Sequence, residues 1–179
     1  MGDYMAKYEL QQRDFYLGAC LFSFFKHNSD TTPSIIEKTD KYTQIVKMTT
    51  NTSNDFYVFM KYSQNPKDTN IVYKSWTFSL TENDKKSLEK YHSLQYPVYL
   101  FFICADSDTI ESDNLGEIAI YRYEDYLFIK DKSSITINIK KSSDRFFNLH
   151  ISKSNEKVIR SRRTNIEKKI NNIDIKYSF

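Results

Sequence analysis

A chain of 179 residues with 40% hydrophobic content, 14 Tyr, 13 Phe and only three Gly and three Pro has the length and apolar content of one folded domain rather than a disordered segment. Only Cys20 and Cys104 occur, each inside an apolar run, so both read as small core residues and no disulfide framework is expected. The polar N-terminus shows no signal-peptide pattern and no apolar run is long enough to span a bilayer, so the expected setting is cytoplasmic and away from membranes.

Residues 9–27 predict a first helix, with Leu10, Asp14, Leu17, Gly18, Leu21 and Phe25 at three-and-four spacing and Phe15, Ala19 and Phe22 widening the apolar face. This places Asp14 on or beside the buried stripe and makes Gly18 a point of close packing. Pro33 to Glu37 and Thr43 to Met48 predict two strands. The turn-forming run from Thr50 to Asp55 then joins the second of these to Phe56–Ser63 in an antiparallel hairpin. Gln64 to Asn70 is a polar loop, and Trp76 to Leu80 alternates as a strand. Thr81 offers an N-cap, with Asp84 three residues on in an imperfect capping box, to a helix running to about Leu94. Val98 to Cys104 is a continuous apolar run, the pattern of a strand covered on both faces.

After an acidic loop from Asp106 to Asn114, Glu117 to Tyr123 predicts a strand and Glu124 to Lys130 a helical turn. Ile135, Ile137 and Ile139 alternate with polar residues and match Phe147, Leu149 and Ile151 across a turn at Lys141 to Asp144, a second hairpin. Thr164 and Glu167 suggest the cap of one more helix in the tail. The order predicts an α/β or α+β fold, a mixed β-sheet flanked by helices. It forms a globular domain over residues 1–152, with a basic extension over 153–179 packing on it.

The charge is uneven. Lys153 to Lys176 holds eight basic and three acidic residues, leaving 18 basic and 20 acidic in the rest of the chain. Arg160, Arg162 and Arg163 cluster with Lys157, Lys168 and Lys169, and arginine forks match phosphate geometry. This tail is either a solvated surface or the contact for an anionic partner. The three histidines are scattered without ligand spacing, and the glycines form no phosphate-binding loop.

Lys61 interrupts the otherwise apolar strand Phe56–Ser63. An unpaired buried ammonium is costly. Lys61 therefore either snorkels at the sheet edge or meets an anionic group.

A first helix carrying an acid, a hairpin whose second strand ends in lysine, then a helix and a buried strand, over roughly residues 9–123, resembles the PD-(D/E)XK nuclease superfamily and its restriction-endonuclease-like core. In that superfamily two carboxylates hold a divalent metal, usually magnesium, against the scissile phosphate, and a lysine stands beside the attacking water. Carried onto this chain, the resemblance implies Lys61 as the catalytic lysine, Asp14 as a helix-borne acid, and Glu37 and Asp40 as carboxylates and magnesium ligands. The sequence departs from the pattern at Phe59, two residues before Lys61 on the same strand face, where an acid would stand.

The expectation is therefore a nucleic-acid-binding protein with a nuclease-like fold, serving restriction, phage defence or repair, with weak or no catalysis. Magnesium is expected only if the protein cuts, and no cofactor otherwise. DNA ranks ahead of RNA as partner, and a protein partner or homodimer is open. The alternatives are an active magnesium-dependent DNA or RNA endonuclease, and a non-enzymatic interaction subunit or phage-encoded inhibitor.

Overall fold

The computed structural model describes residues 11–27, 31–40, 42–51, 54–64, 66–68, 72–106, 116–141, 143–151 and 157–162, with the side chains of 27, 35–40, 67–68, 143–145 and 162 outside the description. Helix α1 (Gln12–His27) opens the described chain, followed by strands β1 (Thr31–Asp40), β2 (Thr43–Thr50) and β3 (Phe56–Ser63). The short β4 (Lys67–Asp68) and β5 (Tyr73–Ser79) lead to α2 (Glu82–His92), β6 (Val98–Ala105) and β7 (Gly116–Arg122). One turn of helix, α3 (Tyr123–Tyr126), precedes β8 (Ser134–Lys140), β9 (Ser143–His150) and β10 (Val158–Arg162).

The fold is mixed α and β, but the strands form two five-stranded sheets where the sequence suggests one. The first sheet runs β1-β2-β3-β6-β7 and the second β10-β9-β8-β5-β4. Within the first, β3 and β6 are parallel and the other neighbours antiparallel. The connection from β3 to β6 is long because it carries β4 and β5 into the second sheet before α2 returns the chain. All pairings in the second sheet are antiparallel.

Alternation along β3 and β6 sends side chains into two cores. On one face, Tyr16, Leu17, Cys20 and Phe24 of α1 pack on Val58, Met60, Phe101 and Ile103. On the other, Phe59, Leu100 and Phe102 meet Trp76, Phe78, Ile137 and Phe147 of the second sheet, with Leu88 and Tyr91 of α2. Every residue of β6 is buried, which explains its unbroken apolar run. The sheets are tied where they approach. Trp76 Nε1 donates to the Ala105 carbonyl at 2.8 Å, and Ser63 Oγ donates to the Thr77 carbonyl at 2.8 Å.

Three expectations change. Gly18 is exposed, and a Cβ built there meets nothing within 4 Å, so it makes no close contact. Phe15 and Phe22 do not widen the buried face of α1 but stand outside it, Phe22 being 71% exposed. Val158–Arg162, read as part of a tail, forms β10, paired with β9 from Val158↔His150 to Arg162↔Phe146. The suggested helix capped by Thr164 lies outside the described residues.

Candidate functional site

Lys61 is 1% exposed and points to the face shared with Phe59, toward α2. Thr43 stands opposite it across the β2–β3 ladder. Lys61 Nζ donates to Thr43 Oγ1 at 2.6 Å and to Asp84 Oδ2 at 2.8 Å. Asp84 is fully buried. It is also the third residue of α2, where Thr81 N donates to its Oδ2 at 2.9 Å and its own amide donates to Thr81 Oγ1 at 3.1 Å. The capping box is therefore complete in both directions. One carboxylate caps the helix and neutralises the buried ammonium, so the ion pair fixes α2 to β3.

The other acids named from the sequence lie elsewhere. Asp14 is in the first turn of α1, on the opposite side of the first sheet from Lys61. There it accepts from Gln11 N at 3.2 Å and lies 3.4 Å from Arg13, which makes it a helix-terminus residue. Glu37 and Asp40 lie in β1, opposite Ile45 and Thr43 of β2, and their side chains are outside the description. Asp55 accepts from Thr50 N and pairs with Lys47 at 2.9 Å. The Lys47 hydrogen bond holds the Asp55 carboxyl below the usual carboxylate range.

Among the described residues no group of three or more His, Cys, Asp or Glu is placed to hold a metal ion. The residues around Lys61 do not fit magnesium, which needs several oxygen ligands. Phe59 offers none, and the Asp84 oxygen nearest Lys61 already accepts from Nζ and from Thr81 N.

A pocket of about 270 Å³ opens beyond the carboxyl end of β3, lined by Tyr42, Lys61, Tyr62, Ser63, Gln64, Thr77, Phe78 and Ser79. In open sheets with parallel strands, ligands settle outside such strand ends. The Tyr42 and Tyr62 rings lie 5.4 Å apart at 52°. Gln64 Nε2 is buried without a hydrogen-bond partner, a deficit that costs about 1–3 kcal/mol.

The outer face of the second sheet carries a polar row. Ile137, Ile139, Phe147 and Leu149 point into the core, so Asn138, Phe146, Asn148 and His150 point out. Asn148 Nδ2 donates to Asn138 Oδ1 at 3.4 Å, and Asn138 Nδ2 lies 2.6 Å from His150 Nε2. With the Asn138 oxygen used as acceptor, its amide is the donor and His150 Nε2 holds a lone pair. His150 Nδ1 is buried without a partner. Burial, with Lys132 nearby, pushes the His150 pKa down. On the edge strand β10, the exposed Arg160 guanidinium sits 5.8 Å from the Phe146 ring centroid. Lys157 is exposed just before β10, and Arg162 is in β10 with its side chain outside the description. Arg163 and Lys168 lie outside the described residues.

The structure thus joins Lys61 to Thr43 and Asp84, a pair that sequence reasoning did not connect. Thr81 and Asp84 were legible as a capping box, but nothing local indicated which cation would meet the carboxylate. Compared with protein-family models, with curated proteins and with solved structures, the chain matches none. No helix among the described residues is long and apolar enough to cross a membrane.

Proposed function

We propose that this chain is a non-cutting nucleic-acid-binding domain on a restriction-endonuclease-like core, binding DNA ahead of RNA in restriction, phage defence or repair. The observation that carries the reading is the outer face of the second sheet, where Arg160 stands over Phe146 beside the Asn138, Asn148 and His150 row. Arginine supplies phosphate contacts, the half-buried Phe146 ring supplies an apolar edge beside it, and amides supply hydrogen bonds to base edges. The order α1, three antiparallel strands, α2 and a parallel β6 supports the nuclease-like core. The absence of cutting rests on Lys61, whose ammonium is shut in with Asp84 and Thr43, and on Phe59, which is fully buried where a metal-binding acid would stand.

The test is anisotropy with single- and double-stranded DNA and RNA across a salt series, beside incubation with magnesium or manganese. Binding should weaken steeply with salt, with no cutting. Arg160→Glu and Lys157→Glu should each lower affinity and flatten the logarithmic salt slope by about 1. No binding at low salt, or full affinity in both variants, refutes the proposal. Metal-dependent cutting that disappears in Lys61→Ala favours the endonuclease reading, with Glu37 and Asp40 as its magnesium ligands.

A second reading, a protein-interaction subunit or homodimer, is favoured by the exposed Phe15 and Phe22 on α1. Concentration-dependent association that is lost in Phe22→Ser would support it.

A further inference from the structure

Helix α1 shows solvent a face that a surface helix does not usually leave bare. Its buried side, Tyr16, Leu17, Cys20 and Phe24, packs on the first sheet. The opposite side carries Phe15, 37% exposed, and Phe22, 71% exposed, with the exposed Gly18 and the half-buried Ala19 between them. No charged residue occurs from Phe15 to Phe25. The water-facing side of an amphipathic helix is ordinarily charged or polar, so this stretch has the character of a contact surface.

The charges stand at the two ends. Arg13 and Asp14 open the helix, 3.4 Å apart, and Lys26 is exposed in its last turn. A membrane surface would ask for cations along the flanks of the apolar stripe, and Arg13 is engaged with Asp14.

The spacing selects the occupant. Phe15 and Phe22 are two turns apart, about 10 Å along the axis, and equidistant from the point between Gly18 and Ala19. A second α1 laid antiparallel across that point brings Phe15 of each copy against Phe22 of the other. The small residues between the rings let the two backbones approach. A two-fold contact has to be self-complementary in this way. The same rotation sets Lys26 of one copy opposite Gln11 of the other, one turn from its Asp14, and lays the helix dipoles side by side in opposition.

We propose that this face of α1 docks on a second copy of the chain, as an antiparallel helix pair with its two-fold axis beside Gly18. This deepens the protein-interaction reading above, on which it rests, and is independent of nucleic-acid binding.

Sedimentation velocity over a concentration series, without nucleic acid, should show a monomer–dimer equilibrium at micromolar concentrations, as expected of a small apolar contact. Phe22→Ser should weaken it at least tenfold. At 71% exposure the change leaves the fold of one copy intact, which a melting curve at low concentration checks. Disulfide capture reads the geometry, and the native Cys20 and Cys104 are buried and stay out of the reaction. Gly18→Cys lies beside the axis, where an added Cβ meets nothing within its own copy, and should link to itself under mild oxidation. Lys26→Cys should not, because its two copies stand about 22 Å apart along the pair. It should link instead to Gln11→Cys when the two variants are mixed. A chain that stays monomeric overturns the proposal and leaves the interaction reading only to a partner of different sequence. A dimer indifferent to Phe22→Ser overturns the use of α1. A dimer lost in Phe22→Ser but captured through Lys26→Cys alone keeps the homodimer reading and overturns the antiparallel pairing.

Discussion

Removing one partner of the Lys61–Asp84 pair should be among the most damaging single changes available to this chain. Lys61 is 1% exposed and Asp84 0%, so neither charge left alone can be rescued by water without opening the interface of β3 with α2. Breaking a buried pair from one side costs about 3–5 kcal/mol, against a total stability of about 5–15 kcal/mol for a domain. Lys61→Met should lie in that range. Asp84→Ala should lose about 1 kcal/mol more, because the acceptor for Thr81 N goes with it. The double variant Lys61→Met/Asp84→Asn removes both charges and leaves an oxygen to cap α2, so it should be less destabilised than either single variant. Urea unfolding reads this directly: with a slope of about 2 kcal/mol per molar, the single variants should lower the midpoint by roughly 2 M. A loss under about 1 kcal/mol in Lys61→Met, or a double variant that loses the sum of the two singles, refutes the view that the pair is mutually dependent and sealed from solvent.

Gly18→Ala should stabilise the protein by about 0.5–1 kcal/mol, since the glycine lies inside α1 with open space around its Cα; a thermal melt that falls would count against this. Gly116→Ala should do the reverse, by about 2 kcal/mol or more, because φ is +136° and the new Cβ would lie 2.5 Å from the Cys104 carbonyl oxygen; unchanged stability would contradict the strain. Burial pushes the Tyr126 phenol up to about 12, and its hydroxyl is buried without a partner. The folded value is above the unfolded one, so this contribution is complete below about pH 10 and disappears as the pH rises toward 12. Tyr126→Phe should be neutral or stabilising near pH 7 and should reduce the alkaline loss, both measurable by urea titration. The depressed pKa of His150 gives the opposite sign: stability is complete above about pH 6.5 and is lost as the pH falls through the folded value. His150→Gln should flatten the acid limb of the stability profile, and an unchanged limb would remove His150 as its source.

Local pattern carried much of the secondary structure. The second hairpin was legible because Ile135, Ile137 and Ile139 alternate as strictly as Phe147 and Leu149, and all five are buried. The α2 start was legible because a cap depends on residues three apart. Pairing between distant segments was not. The β5–β8 ladder joins Trp76 to Ile137, and no local pattern says that these strands leave the first sheet to build another. Strand β10 was hidden because it is five residues long and lies within a basic run, although Ile159 packs on the core and Ser161 is buried against Ile120. The helical spacing of α1 admitted several stripes, and contact with the sheet selected Tyr16, Leu17, Cys20 and Phe24 over Phe15 and Phe22. In the candidate site, Lys61 was found by its oddity within an apolar strand. Asp84 is 23 residues away, and its approach is a property of the fold.

The chain contains a single tryptophan, and it bridges the join between the two sheets through its bond to Ala105. Its emission is therefore a gauge of that join alone. A red shift will mark the moment the sheets separate, whereas loosening of α1 on the far side can proceed without disturbing the signal.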